Sequence, residues 1–286
     1  MQDAAADFSN YLSRFPDGAF RLNATFYKAE CDYRNKNYAS ALTAYEEIIA
    51  KPKNIYTEKS LVTAASIQLR NSKMNEAIIL YKKLEETADL LDNIMTAQAG
   101  LMICYNKTEQ REEAITYAQK IISSDKASKE MVNEAHLIYG RSSMESGDFV
   151  TAQKEMSVIA KQSGEAGAEA KYDLALIQNK LQNFKSSKDK CFEVINAVPS
   201  YNYWIGKSFI LLADNYIALG DTFQAKHTLK SIVDNYEKDP GDKEDIKAMA
   251  TEMLNGLLQK EKSGSMKEEE KSSIPEEDLS NENKNQ

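Results

Sequence analysis

A small side chain recurs along this chain at Ala41, Ala77, Ala114, Ala152, Ser187 and Ala225, at spacings of 36, 37, 38, 35 and 38 residues. A near-constant period of this length marks a repeated supersecondary unit whose apolar face is buried by its neighbours. Twelve residues before each of these stands Ala29, Ala65, Met102, Gly140, Ala175 or Ala213, compact in every unit except the one holding Met102. Four residues after the first set come Tyr45, Tyr81, Ala118, Met156, Cys191 and Leu229, and three further on Ile48, Leu84, Ile121, Ile159, Val194 and Ile232. The i, i+4, i+7 spacing puts them on one stripe of a helix. Gly140 sharpens the reading. Glycine inside a helix costs about 1 kcal/mol relative to alanine, so its presence predicts a neighbouring helix pressed against the backbone there.

A short polar turn separates the two helices of each pair: RNKNY (34–38), RNSKM (70–74), KTEQR (107–111), ESGDF (145–149), KLQNF (180–184) and ALGDT (218–222). Glycine and asparagine close helices in the left-handed conformation, which points to Gly147, Gly220 and Asn35. Tyr38, Met74, Phe149, Phe184 and Phe223 are expected to pack between helices. The pattern predicts an all-α, right-handed solenoid of helix pairs at residues 22–54, 58–91, 95–126, 133–163, 168–199 and 203–237. Gly164 and Gly167 (GEAG) read as a loop between repeats. Residues 4–16 match only the second half of a unit, giving a half-repeat over 1–17 and the expectation that the chain is the C-terminal portion of a longer repeat protein. Residues 243–262 place Ile246, Met249, Met253, Leu254, Leu257 and Leu258 on one side of a capping helix, which the last repeat needs to cover its apolar face. The solenoid thus spans 1–262. Residues 263–286 hold seven acids against three lysines and little to bury, the composition of a disordered acidic tail.

These residues resemble the tetratricopeptide repeat (TPR) family: a small eighth residue, a small twentieth, an aromatic near the twenty-fourth and a proline at the thirty-second. Residues 137–164 and 209–237 meet it best, and the resemblance covers roughly residues 1–237. The chain departs at the fourth place, often tryptophan, which holds Thr25, Leu61, Gln98, His136, Lys171 and Phe209. The proline survives only as Pro16 and Pro199, and Ser187 replaces an alanine. Residues 15–49 and 199–236 are similar in style to long TPR proteins of Gram-negative cell envelopes, the Tol–Pal coordinator and the outer-membrane assembly lipoprotein among them. That likeness implies a periplasmic or envelope scaffold.

The charge of -8 and pI near 5.1 argue against broad nucleic-acid binding, which needs a basic face. No run of about 18 apolar residues provides a membrane span. Cys31, Cys104 and Cys191 are too far apart for a zinc or redox motif and read as core residues. The chain has two histidines; His136 belongs to the packing layer and His227 to an outer surface. Acidic doublets such as Glu46-Glu47, Glu85-Glu86 and Glu112-Glu113 read as solvated helix faces. No phosphate loop, nucleophile elbow or cofactor motif is present, so a non-enzymatic role with no cofactor is expected.

Function then comes from surface. In the TPR family the first helices line a concave side that clamps an extended or helical peptide, and the resemblance implies a protein-binding scaffold. The last outward place of these helices carries Arg34, Arg70, Lys107, Glu145, Lys180 and Ala218. The four basic ones, Arg34, Arg70, Lys107 and Lys180, with Phe26, Tyr33, Arg141, Tyr172 and Asn179, are the expected peptide-binding residues, suited to a partner segment of acidic character. The lysine-asparagine carboxylate clamp of chaperone-binding TPR proteins is not matched, because its places hold Phe26, Glu30, Thr63, Thr96 and Gly100. Two other roles fit the same pattern: a regulatory arm of a larger enzyme, and self-association through the N-terminal half-repeat.

Overall fold

The computed structural model describes residues 2–272. They form fourteen helices: α1 (Gln2–Arg14), α2 (Arg21–Arg34), α3 (Tyr38–Ile49), α4 (Thr57–Arg70), α5 (Met74–Thr87), α6 (Leu91–Lys107), α7 (Arg111–Ile122), α8 (Lys129–Glu145), α9 (Phe149–Ile159), α10 (Glu165–Lys180), α11 (Phe184–Ile195), α12 (Asn202–Ala218), α13 (Thr222–Asn235) and α14 (Ile246–Ser272). The fold is the all-α array of TPR-type hairpins that the repeat pattern predicts, with no strand among the described residues. The chain divides into two compact units, residues 1–159 and 160–286. In the first, α1 to α9 pack in chain order, each against the next; in the second, α10 to α14 do the same.

One hydrogen-bond pattern closes all six hairpins. The N–H of Asn37 donates to the carbonyl of Asp32 at 2.8 Å, five residues back, and Lys36 N–H donates to Tyr33 at 3.0 Å. The five-residue bond recurs from Lys73 to Gln68, Gln110 to Tyr105, Asp148 to Ser143, Asn183 to Gln178 and Asp221 to Tyr216, at 2.8–2.9 Å. This is a Schellman closure, and it requires one left-handed residue just before the donor. That residue is Lys36 (φ 63°), Ser72 (59°), Glu109 (58°), Gly147 (83°), Gln182 (60°) or Gly220 (82°). Asn35, expected in that role, has φ -78°. The bond fixes the register, so chemistry favourable to the left-handed region one place earlier is not used.

The core follows the four ladders. Every one of their residues is buried, and Ala41, Ala77, Ala114, Ala152, Ser187 and Ala225 are fully so. The odd members compensate in size: Met102, large where a small residue is usual, shares a repeat with Ala118, small where a large one is usual, and both are fully buried. Gly140 shows the reverse. A Cβ built there would lie 2.8 Å from Met156 Cε, so the expected neighbour is the partner helix α9. Ser187 is also explained. Its hydroxyl donates to the Ala175 carbonyl at 2.8 Å and accepts from Asn215 Nδ2 at 2.8 Å, fastening α11 to α10 and α12.

Several expectations change. Phe223 lies one residue past the register of Tyr38, Met74, Phe149 and Phe184, so Thr222 takes the inward place and Phe223 is exposed. Gly167 belongs to the first turn of α10 and is buried, while Gly164 (φ 101°) alone makes the bend. Glu85 is no solvated acid. It accepts from Gln98 (2.9 Å), Tyr117 (2.8 Å) and Lys120 (3.1 Å), joining α5, α6 and α7. Burial alone would raise its pKa, yet these donors hold the carboxyl below its ordinary range. In the second unit α14 packs on α13 and α12, burying Ile246, Ala250 and Leu257, whereas Leu258 faces solvent. It starts at Ile246 and runs to Ser272, into the stretch read as acidic tail. The rest of that tail, 273–286, lies outside the described residues.

Candidate functional site

The expected binding residues are split between the units, and each unit is taken by itself. In the first, Phe26 and Arg34 meet in one cleft of about 260 Å³, lined also by Phe8, Tyr27, Glu30 and Cys31. The cleft lies between α1 and α2. Its walls are aromatic: Phe8 stacks on Tyr27 at 5.9 Å, and Tyr27 meets Phe26 edge-on at 5.5 Å. Phe26 is itself buried, held by a parallel stack on Tyr56 at 4.2 Å. Glu30 accepts a 2.6 Å hydrogen bond from the buried hydroxyl of Tyr45. Burial, then this carboxylate, pushes the Tyr45 phenol far above its usual pKa, so it remains a donor. Arg34 is exposed at the rim.

The other predicted residues of this unit lie elsewhere. Tyr33 meets Tyr38 edge-on at 5.6 Å, and Arg70 lies over the same Tyr38 ring at 4.9 Å while donating to its hydroxyl at 3.0 Å. That cluster joins α2, α3 and α4 at the hairpin edge. Lys107 is exposed at the end of α6, and Arg141 is half-buried in α8. Glu145, next in the charged row, pairs with Arg111 at 2.8 Å.

In the second unit Tyr172 is buried, not outward-facing, with Trp204 at 5.5 Å and the Lys207 ammonium 5.6 Å from its ring. Asn179 donates to Asp214 at 2.9 Å and to the buried Asn215 at 3.0 Å, which ties α10 to α12. Lys180 is exposed. The sequence reading missed Phe8, Tyr27 and Cys31 as cleft residues. Their signal was present in the spacing of Phe8 and Tyr27, one on each of two adjacent helices that the repeat register already pairs.

His136 Nδ1 sits 2.6 Å from Glu155 Oε2, both largely buried between α8 and α9. Among the described residues no cluster of three metal-ligating side chains occurs, and no helix is long and apolar enough to cross a membrane.

The architecture is therefore that of a helix-hairpin repeat protein of the tetratricopeptide type. Residues 203–239, which cover α12 from its second residue and all of α13, match the tetratricopeptide repeat family model. A tetratricopeptide repeat protein from Parabacteroides merdae shares the fold at a TM-score of 0.63 and 14% identity, over 90% of this chain and 94% of that one. PilW, a widely conserved type IV pilus biogenesis factor, is similar at a TM-score of 0.51 and 16% identity, over 78% and 97%. MamA AMB-1 is similar at 0.50 and 13%, over 66% and 96%. None of the curated proteins matches the chain. At these identities the likeness is one of fold.

Proposed function

We propose that the protein is a non-catalytic scaffold that holds a partner protein through a peptide segment, and that the cleft between α1 and α2 is its main receptor. The observation that carries this is the cleft's composition: three aromatic walls, a carboxylate fixed by Tyr45, and the exposed Arg34 guanidinium at the rim. Such a site takes an apolar side chain whose neighbour is acidic, because a guanidinium can form paired hydrogen bonds with a carboxylate. Lys107 continues the basic row; Arg70 adds less, being engaged by Tyr38.

Selection of peptides on the intact chain is expected to enrich an acidic residue beside an aromatic or aliphatic one. Arg34→Glu combined with Arg70→Glu and Lys107→Glu should weaken the selected peptides at least tenfold, about 1.4 kcal/mol, with most of the loss from Arg34→Glu alone. Equal binding by the triple variant in a titration would exclude this receptor.

We also propose a cell-envelope setting, on the resemblance of residues 15–49 and 199–236 to long envelope TPR proteins. PilW, whose fold is similar, is a type IV pilus biogenesis factor. Fractionation of cells producing the full-length protein should recover it with the periplasm or envelope; recovery in the cytosol alone would refute the setting.

A further inference from the structure

The connection between α13 and α14, residues 236–245, is the longest among the described helices, and it has no helical turn of its own. It is nevertheless held in place. Tyr236 packs where a Cβ on Gly206 would come within 2.6 Å of its ring, so the glycine makes room for it. The Tyr236 hydroxyl and the Asp239 N–H both donate to Asp242 Oδ2, at 2.8 and 3.0 Å. This bend delivers Lys243 and Glu244 onto the start of α12. The Lys243 ammonium lies 5.7 Å from the Trp204 ring centre and 4.0 Å from Glu169, while Glu244 pairs with Lys207 at 2.5 Å. Trp204 is flanked by Tyr172 at 5.5 Å and Tyr203 at 4.9 Å.

The two sides of this contact are unequal. The groups on the helices are fixed: the side chains of Glu169 and Lys207 are 13% and 15% exposed, and Trp204 is buried. The groups on the strap are loose, with Lys243 and Glu244 side chains 65% and 46% exposed. Exposed pairs of this kind add little, so Lys243 and Glu244 are weakly held although Tyr236 and Asp242 anchor the base of the strap. The receiving groups are packed on α10 and α12 while the two strap side chains on them are loosely held, which is the arrangement expected of a binding site filled by a stand-in. The indole N–H of Trp204 is also buried without a hydrogen-bond partner, a donor that a peptide carbonyl would satisfy.

We propose that residues 236–245 are an internal ligand, and that the surface formed by Glu169, Tyr172, Tyr203, Trp204 and Lys207 binds an extended segment of a partner protein carrying a lysine followed by an acidic residue. The lysine takes the place of Lys243 over Trp204 beside Glu169, and the acid takes that of Glu244 on Lys207. This inference does not depend on the cleft between α1 and α2.

Trp204 is the one tryptophan in the chain, so its emission reads this surface alone. The full chain and its Lys243→Ala/Glu244→Ala variant would be titrated with the synthetic peptide GDKEDI, copied from the end of the strap and the first residue of α14, and with GDEKDI, in which the two charges are exchanged. The variant is expected to shift the Trp204 emission and to bind GDKEDI at least tenfold more tightly than the wild type. GDEKDI should bind neither, and Lys207→Glu in the variant background should abolish the response. Equal affinity of variant and wild type, equal binding of the two peptides, or unchanged emission on loosening the strap would each overturn the proposal. Arg34→Glu should leave all of these results unaltered, which separates this site from the first unit's cleft.

Discussion

Gly100→Ala is expected to destabilise the first unit by about 2 kcal/mol, while Gly140→Ala should stay within about 1 kcal/mol of the wild type. Both glycines lie inside helices, and both would gain about 1 kcal/mol of helix propensity from alanine. What differs is the neighbour. A Cβ at Gly100 falls 2.4 Å from Cε2 and Cζ of Tyr81. That ring is 4% exposed, and burial pushes its phenol up to about 12. A rigid ring enclosed by α5 and α6 cannot retreat, so the added methyl overpacks the core. At Gly140 the nearest atom is Met156 Cε, the end of a flexible chain, with Glu155 Cβ and Met156 Cγ at 3.3 Å. Met156 can change rotamer at modest cost. Urea unfolding of the two variants separates the effects. Equal losses would mean that the backbone approach, and not the kind of side chain, sets the cost. Tyr81→Leu should recover part of the loss in the Gly100→Ala background, because it removes the ring atoms that clash.

The same comparison shows what a periodic sequence reveals. Positions such as Ala41 or Ile121 are buried because the repeat places them on a stripe, and that stripe is readable without coordinates. The size exchange between Met102 and Ala118 was readable too, since both lie within one hairpin. Contacts between successive hairpins were not. Phe26 and Tyr172 read as outward residues, yet each is covered by an aromatic of the following repeat, Tyr56 and Trp204, that lies off the four ladders but belongs to the buried core. An aromatic pair 30 or 32 residues apart, a few short of one period, was the missed signal. Local chemistry misled in the turns, where Asn35 suggested the left-handed site. The hydrogen bond from Asn37 to Asp32 instead imposes it on Lys36, a choice of register that outweighs a preference of about 1 kcal/mol. The strap was legible only as a gap between two predicted helices.

His136→Ala is expected to cost about 3 kcal/mol, the larger of the two effects argued here. Glu155 is 3% exposed, and its Oε2 lies 2.6 Å from His136 Nδ1. Removing the imidazole leaves a carboxylate in the interface of α8 and α9 without its buried partner. Lys154 reaches the other oxygen at 3.4 Å, but its side chain is 80% exposed and adds only what a surface pair adds. The double variant His136→Ala/Glu155→Gln should recover about half the loss, because a neutral amide costs less to bury than an unpaired charge. If His136→Ala lowered the urea midpoint no more than an exposed alanine substitution does, the pair would not be what holds the hairpin. The pair joins α8 directly to α9, so its loss acts first on that hairpin. Hydrogen exchange should accordingly speed up across residues 129–159 in His136→Ala before it does so in α4 and α5.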